Sequence, residues 1–249
     1  MPRFFVTLPL AADTHYALPE NVVRHIHVLR LQSGDAITLF DGTGGAFQAE
    51  LLSIDKKHAT AHVREHQIDD LEPPYRLTLA QGVAGGDKMD WLIEKAVELG
   101  VGSIVPLTTA KSVVRLQGER AQKRREHWQA LTRAACEQCG RNRVPPVEAI
   151  GELRAWLSAQ AASETQAGEA PLKLLLSPRA AQPFDSLPLV APPIGTILLI
   201  GPEGGLSEAE EDEARASGFS AVGLGPRILR TETAGIAVLA ALAARWGGW

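Results

Sequence analysis

At 249 residues the chain has material for one large core or two small ones, and its 45% hydrophobic content is ordinary for a globular protein. A formal charge of −4 excludes a wholesale electrostatic attraction to nucleic acid, so any RNA contact has to use local patches. Two cysteines, Cys136 and Cys139, exclude a disulfide framework, and the apolar run 234–244 is too short to span a bilayer, so a soluble cytoplasmic protein is expected.

Arg3 to Thr7 reads as a strand, and the stretch 4–12 is a strand and turn rather than a signal peptide, being broken by Pro9 and lacking a basic start. Pro19 and Glu20 open a helix with Val22, Val23, Ile26 and Leu29 at helical spacing. Strands are predicted over 36–40, 46–54 and 59–63, the first two joined by the glycine-rich loop 41–45. Short strands with tight turns predict a small β-barrel. Arg3, Arg24, His25, His27 and Arg30 cluster here. They form either a solvated helix face or a local basic patch, and Arg30 at the helix end also complements the dipole. The acidic, proline-bearing stretch Gln67 to Tyr75 is the candidate linker, which divides the chain into 1–70 and 71–249.

Beyond the linker, 76–81 is a strand, Asp87 is placed to cap a helix with the apolar stripe Met89, Leu92, Ile93, Ala96 and Val97, and 103–107 returns as a strand after Gly100. Such a βαβ unit implies a parallel sheet. Lys111, Arg115, Arg120, Lys123, Arg124 and Arg125 then make a basic stretch without interleaved aromatics, either a solvated face or a phosphate contact. Cys136 and Cys139 have C-x-x-C spacing but no second ligand pair, so they read as packing residues and no metal is expected. Arg141 and Arg143 follow at the helix end, where an arginine completes the dipole or reaches a phosphate. A short helix at 153–157 precedes the small, polar stretch 159–171, which reads as mobile. A strand at 172–177 and a proline-rich connection over 182–193 follow.

The last fifty residues organise the rest. A buried strand, 196–200, runs into Gly201-Pro202-Glu203-Gly204-Gly205, and Ser207 and Glu210 stand at capping-box spacing ahead of a helix that ends before Gly218. A second strand, 221–224, empties into Gly223-Leu224-Gly225-Pro226-Arg227, and the closing helix is capped by Thr231 or Thr233. In an open α/β sheet ligands sit at the carboxyl ends of strands, so two such loops make a site walled mainly by backbone. The 201–205 loop is otherwise only a tight turn. A carboxylate in it, Glu203, argues against phosphate, and neither G-x-G-x-x-G nor a P-loop is present. A ligand with a cation, or a flat ring held by backbone groups, fits better, and S-adenosylmethionine carries both.

IGPEGGLS at 200–207, LGPRILRTETA at 224–234, EKAVELGV at 94–101 and CEQCGRNRVP at 136–145 resemble the ribosomal RNA small-subunit methyltransferase E family of SPOUT-class enzymes. The resemblance spans nearly the whole chain. It implies a PUA-like RNA-binding β-barrel at 1–70 and, at 71–249, a SPOUT-type α/β domain with a parallel sheet and a C-terminal trefoil knot, paired as a homodimer. It also implies methylation of uridine N3 in 16S ribosomal RNA by S-adenosylmethionine, with the assembled small subunit as the expected partner and neither membrane nor metal involved. The expected cofactor contacts are Leu176, Ile200, Gly201, Pro202, Glu203, Gly204, Leu224, Gly225, Ile228, Leu229 and Thr233, and the expected RNA contacts are Arg3, Arg30, Arg141, Arg143 and Arg227. Gly85 stands where the family often has a basic residue.

Transfer to N3 needs the imide proton removed, by a base or with help from a nearby cation. Arg230 is the candidate to orient or polarise the uracil and Glu203 the candidate carboxylate, although Glu203 and Glu232 equally suit capping of backbone amides. A non-catalytic RNA-binding protein and a nucleotide-dependent oxidoreductase are the alternatives.

Overall fold

The computed structural model describes residues 1–7, 9–167, 170–180 and 182–249, of which 162–167 are described by backbone alone. They form two compact units, Met1–Glu72 with Arg133–Val144, and Pro73–Thr132 with Pro145–Trp249. The first boundary falls close to the expected linker. The return of 133–144 to the first unit was not expected from a division into 1–70 and 71–249.

In the first unit, β1 (Arg3–Phe5), β2 (Thr14–Ala17), β3 (Ala36–Phe40), β4 (Ala46–Ile54) and β5 (Ala59–Gln67) form one sheet in the order β1-β3-β4-β5-β2. β1 runs parallel to β3 and the other pairs are antiparallel. β2 was not expected: only alternate residues of this edge strand are partly covered, too faint a pattern to read in four residues. The helix α1 (Glu20–Val28) drops Val22, Val23 and Ile26 into a core with Phe4, Ile37, Leu39, Leu51 and Val63. The presumed linker is anchored here. Asp70 accepts from the Gly45 amide at 2.7 Å and from Arg143 at 2.9 Å, and Glu72 takes a fork of hydrogen bonds from the buried Arg141. Acidic residues that look like solvent markers are partners for arginines about seventy positions away.

The second unit is a wholly parallel sheet of seven strands: β6 (Leu77–Gly82), β7 (Ser103–Thr108), β8 (Gly151–Glu152), β9 (Leu172–Leu176), β10 (Gln182–Pro183), β11 (Thr196–Ile200) and β12 (Ser220–Gly223), in the order β10-β12-β9-β11-β6-β7-β8. Every residue of β11 is buried, as a central strand covered on both faces requires. The helices are α2 (Lys88–Glu98), α3 (Gly118–Cys139), α4 (Leu153–Ala167), α5 (Glu208–Ala216) and α6 (Thr231–Trp246). α2 buries the expected stripe, and α3 passes from the second unit into the first. α4 contains the expected helix at 153–157 and continues it to Ala167, which corrects the mobile reading over 159–167, because Ala, Gln and Glu are good helix formers as well as small or polar; 168 and 169 lie outside the described residues. Within the connection 182–193 lie β10 and a single 3-10 turn at Phe184–Ser186.

Cys136 is buried with its thiol directed at the Arg143 carbonyl, and burial pushes that thiol up to about 12, so it stays protonated and inert. Among the described residues no helix is long and apolar enough to cross a membrane.

Candidate active site

Three neighbouring parallel strands, β12, β9 and β11, end on one edge of the sheet, and the loops leaving them enclose a cavity of about 670 Å³. Its walls are Leu176–Pro178, Ile200–Gly205, Leu224, Gly225, Arg227–Glu232 and Ala234. The 201–205 loop is a tight turn, with the Gly205 amide donating to the Pro202 carbonyl at 2.8 Å. Glycine is required at two points around it. A Cβ on Gly201 would stand 2.8 Å from the backbone of Gly205 and Leu206, and one on Gly82 would stand 2.6 Å from Pro202. The turn then delivers the chain to α5 through a complete capping box: Ser207 Oγ accepts from the Glu210 amide, and the Glu210 carboxylate accepts from the Ser207 amide.

Gln81 holds the floor of the site together. It is fully buried at the end of β6, and its Nε2 donates to the carbonyls of Gly82 (2.9 Å) and Gly201 (3.2 Å) and to Thr231 Oγ1 (2.9 Å). Thr231 Oγ1 donates to the Gly201 carbonyl at 2.6 Å, which corrects its expected role as a cap. The cap position of α6 is Arg230, which makes no side-chain cap, and Asp87 likewise leads α2 without a cap hydrogen bond. A polar residue closing the apolar run LTLAQ was the available signal for Gln81.

The third wall hangs from a buried carboxylate that sequence reasoning did not select. Glu211 on α5 receives Ser177 Oγ at 3.1 Å, Arg179 Nη2 at 2.7 Å and Arg215 Nη2 at 2.9 Å. The loop after β9 is therefore clamped to the helix after β11.

Glu203 reaches across to the loop before α2. Its Oε1 accepts from the Gly85 amide at 2.9 Å and from Lys88 Nζ at 2.8 Å. Burial pushes this carboxyl up, but the hydrogen bonds from Lys88 and from the backbone of its own loop and Gly85 outweigh it and leave it below the ordinary glutamate value. A carboxylate that accepts from an amide and an ammonium in this way fits the amide-capping reading.

The RNA methyltransferase family model matches residues 71–243, and the model for the RNA methyltransferase PUA domain matches 18–64. A ribosomal RNA small subunit methyltransferase E from Bacillus subtilis is 32% identical over 97% of this chain and 96% of its own length. The chain belongs to the ribosomal RNA small subunit methyltransferase E family. Among solved structures, a methyltransferase E from Neisseria gonorrhoeae bound to S-adenosyl methionine is 40% identical, with a TM-score of 0.89 over 99% of this chain and 98% of that one. A methyltransferase from Legionella pneumophila, in complex with bound SAM, is 32% identical, with a TM-score of 0.88 over 97% and 96% of the two chains.

In this chain the cavity brings together Leu176, Ile200, Gly201, Pro202, Glu203, Gly204, Leu224, Gly225, Ile228 and Leu229, with Arg227 and Arg230 beside them. Thr233 does not line it and faces a second, smaller cavity instead. The expected RNA contacts are divided. Arg30 is exposed on a left-handed turn (φ 57°), and Arg227 is exposed in the large cavity. Arg141 is buried against Glu72, a correction to its expected role. Arg3 bonds Asn142 and stacks on Phe40, while the half-exposed Arg143 is held by Asp70 and the Thr43 carbonyl. Of the basic stretch, Lys111 and Arg125 are tied to the carbonyls of Leu206 and Val147. Arg115, Arg120 and Lys123 stand exposed.

Proposed function

We propose that this protein methylates N3 of a uridine in small-subunit ribosomal RNA with S-adenosylmethionine, acting in the cytoplasm as a homodimer on the assembled subunit. The observation that carries the reading is the cavity at the ends of β12, β9 and β11, walled by glycine-bearing loops in which a Cβ has no room at Gly201. Bare backbone amides and carbonyls suit an adenine ring, and the absence of a phosphate-binding motif is consistent with a ligand that has none. Leu176, Ile200, Leu224 and Leu229 would supply the apolar contacts. When bound, the cofactor supplies an electrophilic methyl group on a sulfonium that loses its charge during transfer. Alignment and exclusion of water are therefore the chain's main contributions. Arg227 and Arg230 line the cavity, and Arg230 would orient the uracil.

The dimer is supported by α6. One face buries Gly235, Val238, Leu239, Leu242, Ala243 and Trp246, and the opposite face leaves Ile236, Ala237, Ala240 and Ala241 partly exposed. A trefoil knot is proposed with it: the segment leading to α6 is seated on the 201–205 loop through Thr231 and Gly201.

The test is calorimetric titration of wild type and Gly201→Ala with S-adenosylmethionine, followed by mapping of the base labelled in small subunits. Binding by the wild type, its loss in a variant that keeps the native circular dichroism, and a label on uridine N3 are expected. A wild type that binds no cofactor even with subunits present overturns the reading.

A further inference from the structure

The large cavity has a neighbour. Gly85, Gly86, Asp87, Lys88, Trp91, Arg230, Glu232 and Thr233 enclose a second space of about 490 Å³, and Lys88, Arg230 and Glu232 line both. Both volumes fall in the range of small-molecule sites, about 300–1,000 Å³. A transfer between two molecules needs two compartments that meet where the atoms are exchanged, and three charged side chains stand at that meeting.

Two side chains there have no structural employment. Trp91 is 44% exposed and lies off the apolar stripe of α2, and among the described residues no ring contact or side-chain hydrogen bond engages it. An exposed indole facing a cavity is a stacking surface, and enzymes that act on a base take it out of its stack and hold it against such rings. Glu232, in the first turn of α6, has a buried Oε2 with no hydrogen-bond partner. A buried carboxylate oxygen left unpaired is costly, so it is poised for a donor the chain itself does not provide. The other carboxylate of the large cavity, Glu203, is already occupied by Lys88 and the Gly85 amide.

Resting on the function proposed above, we infer that the second cavity seats the acceptor base: a flat imide-bearing pyrimidine lies against Trp91, and Glu232 accepts its N3 proton. The proton passes from N3 to a Glu232 carboxylate oxygen and later to water. The pair left on N3 forms the bond to the methyl carbon, while the pair of the broken carbon–sulfur bond stays with the departing thioether. The charged groups sharing the two cavities with Glu232 are Asp87, Lys88, Glu203, Arg227 and Arg230. Of the acidic ones, Asp87 is exposed and lines the second cavity alone.

The test compares wild type, Glu232→Gln, Asp87→Asn, Trp91→Ala and Trp91→Phe in cofactor titration and in single-turnover methyl transfer to small subunits across pH. All five should bind the cofactor alike. Glu232→Gln should slow transfer by about 100-fold or more and lose the acid limb of the pH profile, with the KM for subunits little changed. Trp91→Ala should raise that KM about tenfold or more, and Trp91→Phe should restore it. A Glu232→Gln protein with the wild-type rate and both limbs, one that loses cofactor binding, or transfer of the defect to Asp87→Asn overturns the role of Glu232. An unchanged KM in Trp91→Ala overturns the stacking surface. A wild type that neither binds the cofactor nor transfers a methyl group refutes the underlying function instead, and is told apart by that first titration.

Discussion

Arg141 and Arg143 lie two positions apart and look alike in the sequence, yet the fold uses them differently. The Arg141 side chain is 5% exposed and forks onto Glu72, whereas that of Arg143 is 57% exposed against Asp70. Removing one partner of a buried pair strands the other, so Arg141→Ala should lower stability by about 3 kcal/mol. Arg143→Ala should cost less than about 1 kcal/mol, because its pair is open to water. Urea titration of the two variants measures the difference, and equal losses would contradict the assignment. Residue type and helix-end position were legible in advance. The partners were not, because Glu72 is 69 positions from Arg141 and nothing local marks an acidic residue as reserved. The same limit hid Lys88 from Glu203 and Ser177 from Glu211.

Elements were read best where their signal is short-range. The capping box of α5, the glycine at Gly218 (φ 88°) after its end and the apolar stripe of α2 all lie within one or two helical turns, and the structure forms each of them. Where a local signal competed with a distant partner, the distant partner won: Thr231 was a plausible cap, but its hydroxyl is drawn to the Gly201 carbonyl. The extension of α4 past 157 was missed for another reason, since its composition serves helix and disorder equally and periodicity is weak. Ser207→Ala removes one side of a complete capping box and should cost about 1 kcal/mol. In a chain of this size that is a fall in melting temperature of about 2–4 °C. A melt unchanged within error would show the box to be redundant with the packing of α5.

At the scale of the molecule, the division into two units does not follow the chain. Residues 133–144 belong with 1–72, where Glu137 accepts from the Phe5 amide at 2.8 Å and Asn142 bonds both Arg3 and the Asp69 carbonyl. A fragment beginning at Pro73 would leave that segment without its partners. Hydrogen exchange should show it rapidly labelled in the fragment and protected in the full chain, while β6, β9 and β11 keep their protection in both. Protection of 133–144 in the fragment would mean that the second unit alone orders it. Fold class was legible from βαβ spacing; this return was not, because no composition change marks it.

Gln81 has one more consequence, and it concerns time. Its amide joins β6 to Gly201 and Thr231, 120 and 150 positions later, and β6 pairs directly with β11. While the chain is being made, β6 emerges early and must wait for its neighbour. At elongation rates of about 5–20 residues per second the wait lasts roughly 6–24 seconds. During it, the edge of β6 that will meet β11 is unpaired and open to other strands. The floor of the cavity closes only when Thr231 has been translated and has cleared the exit tunnel. The protein thus gains its site only after every strand of the parallel sheet has been made, and a chain halted shortly before Thr231 would hold the strands and none of the pocket's final wall.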